Sequence, residues 1–206
     1  MTRRRAYTVV DQFEDALCEY TGAPYAVATS SCTDALFLSM LWCMRNTDQA
    51  SYAPNVWLPK HNYVGVYQAA VRAGYTVTWT DEQWHYDYHV KPLPVVDSAK
   101  HLARGMYAKG TMMCLSFGAS KRLNIGRGGA ILTDNQDAAD WIRPRSMDGR
   151  TPGEDYQTPR FAVPGHRMNL TPEEAARGLL LLTYLDDPPS DTWKAYPDLS
   201  KAEWTT

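Results

Sequence analysis

Long apolar runs are missing from this chain. No stretch approaches the roughly 18 residues needed to cross a bilayer, so no spanning helix is expected. A surplus of one charge is missing too: 21 Lys and Arg face 23 Asp and Glu, a net charge of −2. That balance argues against a generally basic nucleic-acid binder, while leaving room for local basic clusters. Cysteine pairs are also lacking. Cys18, Cys32, Cys43 and Cys114 form no CxxC and sit in apolar or small-residue contexts. Neither a zinc site nor a disulfide framework is therefore expected, and no metal is assigned. Behind Arg3-Arg4-Arg5 there is no apolar signal core, and the simplest expectation is a cytoplasmic protein. The chain has no internal repeat and no low-complexity tract.

What is present suits one core with a small appendage, with 44% of 206 residues hydrophobic. Phe13 and Leu17 mark a short amphipathic helix over 10–19, ended near Gly22. Tyr25 to Ala28 is a buried strand that runs into the small and hydroxyl residues 29–33, and an apolar helix follows over 34–44. Further strands are expected over 56–58, 76–80, 94–97, 112–117 and 129–133, and further helices over 63–73 and 136–142. Residues 81–90 are aromatic and histidine-rich with no clear period. Residues 144–168, rich in Pro, Gly, Arg and Asp, read as a long loop. Thr171-Pro172-Glu173-Glu174 is a capping box with proline at the first helical position, opening a leucine-rich helix to about Leu185. Strands alternating with helices predict an α/β fold: three layers, with a mainly parallel sheet flanked by helices. The domain is assigned to 1–186, and 187–206 to a polar tail.

Four separated pieces carry chemistry. Ser31-Cys32-Thr33-Asp34 places hydroxyls between a strand and a helix, the pattern of an anion site at a helix N-terminus. Tyr63 puts an aromatic ring at a strand-to-helix turn. Asp97 is an acid ending a buried strand. Ser116-Phe117-Gly118-Ala119-Ser120-Lys121 closes with Gly126-Arg127-Gly128-Gly129. In open α/β sheets, ligands bind at the carboxyl ends of strands, where all four pieces fall. Together they supply what pyridoxal 5'-phosphate requires: an amine for its aldehyde (Lys121), a carboxylate for its ring nitrogen (Asp97), an aromatic against its ring, and amide and hydroxyl donors for its phosphate. Taken singly, Lys121 reads as a solvated lysine and Asp97 as a turn acid; their joint order favours the cofactor.

These pieces resemble the sugar aminotransferases of the DegT/DnrJ/StrS type, which are fold-type-I pyridoxal-phosphate enzymes. The resemblance runs from Phe13 to about Leu185. Residues 31–36 resemble the family's Ser-Gly-Thr-Asp-Ala-Leu phosphate turn. Val95-Val96-Asp97-Ser98-Ala99 resembles the strand bearing the pyridinium acid. Ser116-Phe117 with Lys121 matches Ser-Phe-x-x-x-Lys, and Gly165-His166-Arg167-Met168 resembles Asn-x-Arg-Met. The resemblance implies a reduced pyridoxal-phosphate-dependent transferase large domain, in which Lys121 carries the cofactor as an aldimine. It makes Cys32, Thr33, Tyr63, Asp97, Ala99, Lys100 and Ser116 the cofactor's surroundings. It also implies a homodimer with shared active sites, with His166, Arg167 and Arg127 facing substrate or the neighbouring subunit.

The chain departs from that pattern in several places. Cys32 stands in place of glycine in the phosphate turn, either as a packing residue or as a reactive thiol. Lys100 stands where Gln or His is usual, either as a second active-site cation or as an exposed lysine. Arg127 replaces an acid, and Gly165 replaces an asparagine. A βα unit between Thr80 and Pro94, and the whole small domain after Leu185, are lacking, so a shallow, open site is expected. Three functions follow. The first is an aminotransferase acting on a small-molecule or nucleotide-linked amine. The second is a decarboxylase of an amino-acid-modified thymine in phage DNA, working in the host cytoplasm, with Lys100, Lys109, Arg122, Arg127, Arg143 and Arg145 contacting phosphates. The third is a non-catalytic subunit of the same fold.

Overall fold

The computed structural model describes residues 3–45, 54–150, 157, 163–185 and 196–203. Among them, no helix is long and apolar enough to cross a membrane. The chain opens with α1 (Arg3–Thr21), longer than the periodicity alone suggested, and closed where Gly22 takes φ +80°. β1 (Tyr25–Thr29) leads into α2 (Cys32–Met44). β2 (Asn55–Pro59), α3 (Val64–Arg72) and β3 (Thr76–Thr80) form a βαβ unit. β4 (Tyr88–His89), β5 (Val95–Asp97), β6 (Met112–Ser116) and β7 (Gly129–Thr133) follow, then α4 (Gln136–Arg145) and α5 (Pro172–Thr183).

The α/β class and the three layers are as expected, but the pairing directions are not. The described strands form a five-stranded sheet in the order β1-β7-β6-β5-β4, and β2 and β3 pair apart from it. Only β5–β6 and β2–β3 run parallel; β1–β7, β6–β7 and β4–β5 are antiparallel. The sheet is therefore mixed rather than mainly parallel. Parallel neighbours need a crossover, usually helical. Here β6 returns to β7 through the loop 117–128, which contains no helix. That loop carries Lys121, so the reversal and the chemistry share one segment.

Alternation along each strand divides the core between the two faces. Val27, Ile131, Cys114 and Val95 pack with α2, α3 and α4 on one side. Ala28, Ala130, Leu132, Leu115 and Val96 pack with α1 and α5 on the other. Phe13 of α1 meets Phe117 edge-on, with ring centroids 5.5 Å apart, and both are fully buried. This contact fixes the start of the lysine loop to the helical layer. α5 begins as its sequence signals: the Thr171 hydroxyl accepts from Glu174 N–H at 3.3 Å, and Glu174 Oε2 accepts from Thr171 N–H at 2.9 Å. Thr171→Ala is expected to lower stability by about 1 kcal/mol, read as a shift of the urea midpoint at constant slope.

Residues 196–203, placed in the tail by the sequence, lie against the end of β2. Asp198 bridges His61, and Leu199 N–H donates to Lys60 C=O at 2.8 Å.

Candidate active site

Register sets the floor of the site. Thr29 and Ser116 both pair with Gly129, and Asp97 pairs with Cys114. The ends of β1, β5 and β6 therefore meet the start of β7 at one edge, where α2 begins. Gly129 lets them meet. A Cβ there would fall 2.5 Å from the Ser31 carbonyl carbon, 2.6 Å from Cys32 N and 2.7 Å from Leu115 O. All three are backbone atoms that cannot rotate away. Gly129→Ala is expected to cost about 1–3 kcal/mol in denaturant unfolding, by pushing the α2 N-terminus off the sheet.

At that N-terminus Ser31 caps the helix, its hydroxyl accepting from Asp34 N–H at 3.0 Å. The Ser30 and Ser31 hydroxyls both donate to Asp34 Oδ2, at 2.5 and 2.7 Å. Thr33 packs beside Gly65, where a Cβ would lie 2.7 Å from both Thr33 Oγ1 and Tyr63 Cε1. Gly65 thus allows α3 to bring Tyr63 next to the α2 turn. The Lys121 loop is closed by Phe117 N–H to Gly128 C=O at 2.9 Å and by Lys121 N–H to Gly118 C=O at 2.9 Å.

These parts surround a cavity of about 460 Å³, within the ~300–1,000 Å³ usual for small-ligand sites. Of the residues expected from sequence, Cys32, Thr33, Tyr63, Asp97, Ala99, Ser116, Lys121 and Arg127 line it. Lys100, His166 and Arg167 do not. The Lys100 ammonium lies over two rings at the rim, 5.2 Å from the Trp84 centroid and 4.5 Å from that of Tyr196. His166 packs edge-on against Phe37, and its N–H donates to Arg145 C=O at 2.7 Å. Arg167 is exposed and pairs through its backbone with Met147. Arg127 Nε pairs with Glu174 Oε1 at 3.2 Å, so the α5 capping box also positions a cation of the cavity wall.

Asp97 is the buried acid of the site, 4% exposed. Its Oδ2 accepts from the Tyr88 hydroxyl at 2.9 Å, and its Oδ1 from Ala99 N–H at 3.0 Å. Tyr88 accepts in turn from Asn62 Nδ2 at 2.7 Å, and Asn62 Oδ1 accepts from Tyr63 N–H at 2.7 Å. One chain of hydrogen bonds thus links the acid to the aromatic turn. Burial pushes the Asp97 carboxyl above its ordinary range, opposed by the Ala99 amide, the Tyr88 hydroxyl and the Lys121 charge. Burial and the neighbouring Asp97 push the Cys32 thiol well up, and it donates to Cys114 C=O at 3.4 Å. Cys32 is therefore a packed, protonated thiol, not a reactive one.

The donor set fits pyridoxal phosphate. The Thr33 and Ser116 hydroxyls line the cavity and make no hydrogen bond among the described residues. They stand beside the N-terminus of α2, a combination suited to a phosphate. A buried carboxylate and a lysine share the same cavity. Sequence reasoning missed Asn62, Tyr88, Trp84 and Tyr196. The first two lie on the hydrogen-bond chain to the acid, and Asn62, Trp84 and Tyr196 line the cavity.

The sequence profile of the DegT/DnrJ/EryC1/StrS aminotransferase family matches residues 3–93 and 99–196. The chain belongs to this family. A curated relative is the spore coat polysaccharide biosynthesis protein SpsC of Bacillus subtilis strain 168. The two are 26% identical over 230 residues, spanning 86% of this chain and 57% of SpsC. Among solved structures, the sugar aminotransferase CalS13 from Micromonospora echinospora superposes with a TM-score of 0.71 at 19% identity, over 86% of this chain and 60% of that one. NtdA from Bacillus subtilis, solved with bound PMP, gives 0.66 at 21% identity, over 86% and 48%. The chain thus spans less than two thirds of the length of these relatives, and the structural likeness concerns the fold.

Proposed function

We propose that this chain is a pyridoxal-phosphate-dependent enzyme of the aminotransferase type, acting on a small amine-bearing substrate of the sugar class. The observation that carries this reading is the placement of Lys121 and buried Asp97 in one cavity, with the hydroxyl-lined α2 turn beside them. The relatives' names supply the sugar.

When bound, pyridoxal phosphate supplies a ring that draws electrons from the substrate's amine-bearing carbon. The chain's own residues account for the rest. Lys121 Nζ would hold the cofactor and, as a positioned base, would move a proton at the substrate carbon. Asp97 would hold a proton at the ring nitrogen, its carboxylate oriented by the Tyr88 hydroxyl and the Ala99 amide. The Thr33 and Ser116 hydroxyls, beside the α2 N-terminus, would hold the phosphate. Tyr63, at the cavity wall, would stack on the ring.

His166 and Arg167 lie outside this chain's own cavity; in the homodimer that the resemblance implies they would serve the neighbouring site. The reading of a decarboxylase on modified DNA gains no support from the placement of its basic residues. Arg143 is paired with buried Glu14 at 2.6 Å, Arg127 with Glu174, and Arg145 lies 3.6 Å over Trp141. Arg122 donates to Leu102 C=O. Of these four cations Arg127 alone lines the cavity; Arg122, Arg143 and Arg145 are engaged elsewhere in the fold.

Glutamate added to the cofactor-loaded protein tests the reading. Conversion of the bound cofactor to its pyridoxamine form, followed by absorbance, is the expected result. A loaded protein that never converts with any amino donor, but releases carbon dioxide from an amino acid, would overturn transamination.

A further inference from the structure

The segment 196–201 builds part of the cavity although it belongs to none of the elements that carry the site's chemistry. Tyr196 lines the cavity. Its ring stacks on Trp84 (centroids 5.7 Å apart, planes 17° apart) and lies 6.5 Å from Tyr63. Trp84 in turn lies 4.9 Å from Tyr88, the partner of Asp97. Three rings thus continue from the floor of the site to its rim, with the Lys100 ammonium against two of them.

The segment is held in place at several points. Leu199 N–H donates to Lys60 C=O at 2.8 Å, His61 Nδ1 lies 3.1 Å from the Tyr196 carbonyl, and Trp84 Nε1 donates to His61 C=O at 2.9 Å. Leu199 is buried, and Asp198 Oδ1 accepts from Ser200 N–H at 3.0 Å to close the turn. The Tyr196 phenol is pushed up to about 12, by burial first and then by Asp97 and Cys32. It is therefore neutral at physiological pH and close enough to the floor to sense the buried acid.

We propose that Tyr196 is the size-selecting wall of the cavity. The strap 196–201, anchored through Leu199 and His61, holds its ring at the rim so that slender amines reach Lys121 and bulky ones are kept out. The identity of what enters rests on the cofactor reading above; the existence of the wall does not.

Reductive alkylation of the cofactor-free protein with formaldehyde and with a bulky aromatic aldehyde, resolved by mass spectrometry for each lysine, separates the two. Lys121 lines the cavity, whereas Lys109 is exposed outside it. Tyr196→Ala is expected to raise the bulky-to-small labelling ratio at Lys121 severalfold while the ratio at Lys109 stays unchanged. Leu199→Ala, which frees the anchor without touching the cavity lining, should do the same, and Tyr196→Phe should leave the Lys121 ratio as in the wild type. In the loaded protein, Tyr196→Ala should raise the rate with a bulky amine relative to a small one by about tenfold. A Lys121 ratio unchanged in both the Tyr196→Ala and Leu199→Ala proteins, or rising only in step with Lys109, overturns the wall. A wild-type protein that takes up no cofactor overturns the functional reading and leaves the labelling ratio to decide the wall.

Discussion

Lys121→Ala is expected to yield a folded protein that binds no cofactor covalently and turns over about 10²–10⁴-fold more slowly. The fold should tolerate the change. Lys121 contributes its backbone N–H to the Gly118 turn, which alanine preserves, and its side chain makes no hydrogen bond or ion pair among the described residues. Borohydride reduction of the loaded protein, followed by peptide mass spectrometry, gives the direct reading. The wild type should carry the cofactor's mass on the peptide containing Lys121, and the variant should carry none. Lys100 provides the internal comparison, because its ammonium sits at the rim over Trp84 and Tyr196 instead of in the lining. Cofactor trapped on Lys100 in the wild type, or persistent trapping in Lys121→Ala, would sink the assignment.

Much of this site was legible because its parts announce themselves locally. Asp97 ends a short apolar strand, Ser31 to Asp34 interrupts a strand-to-helix passage, and Lys121 follows Ser116 at a fixed spacing. Each is a property of a few consecutive residues. Pairing direction is not such a property. β7 is buried along its whole length, and a strand buried on both faces shows the same apolar run whether its neighbours are parallel or antiparallel. The mixed sheet follows from how the Lys121 loop turns back, which hydrophobic pattern does not record. Trp84 and Tyr88 were hidden for another reason. Residues 81–90 show no period, so nothing in them marks which rings turn inward, and Tyr88 reaches Asp97 only through the two-residue strand β4. Tyr196 was hidden by distance along the chain: its partners are Tyr63, Trp84 and Lys100, and no local pattern ties a late polar stretch to them.

Asp97→Asn should separate the acid's cost to folding from its value to function. The folded-state pKa of Asp97 is raised by burial. Below the ordinary carboxylate range, folded and unfolded chains are both protonated there, and the group is neutral in its effect. As pH rises past about 4 the unfolded chain releases the proton first. Wild-type stability therefore falls relative to the variant until the folded carboxyl ionises in turn, each unit of separation costing about 1.4 kcal/mol. Asparagine cannot ionise, so the difference in urea midpoint between variant and wild type, both cofactor-free, should grow in the variant's favour as pH rises above about 4, until the folded carboxyl ionises. A constant offset is expected on top, because asparagine offers one carbonyl oxygen where Tyr88 O–H and Ala99 N–H each donate to a separate oxygen. The loaded enzymes should rank the other way. Without a carboxylate to hold the proton at the ring nitrogen, the variant should bind cofactor more weakly and turn over about 10²–10³-fold more slowly, the scale set by loss of one preorganised electrostatic partner. Equal pH slopes for the two cofactor-free proteins would mean that Asp97 titrates normally. The hydrogen bonds from Tyr88 and Ala99 would then offset the cost of burying the charge, and the acid would already be a carboxylate in the empty site.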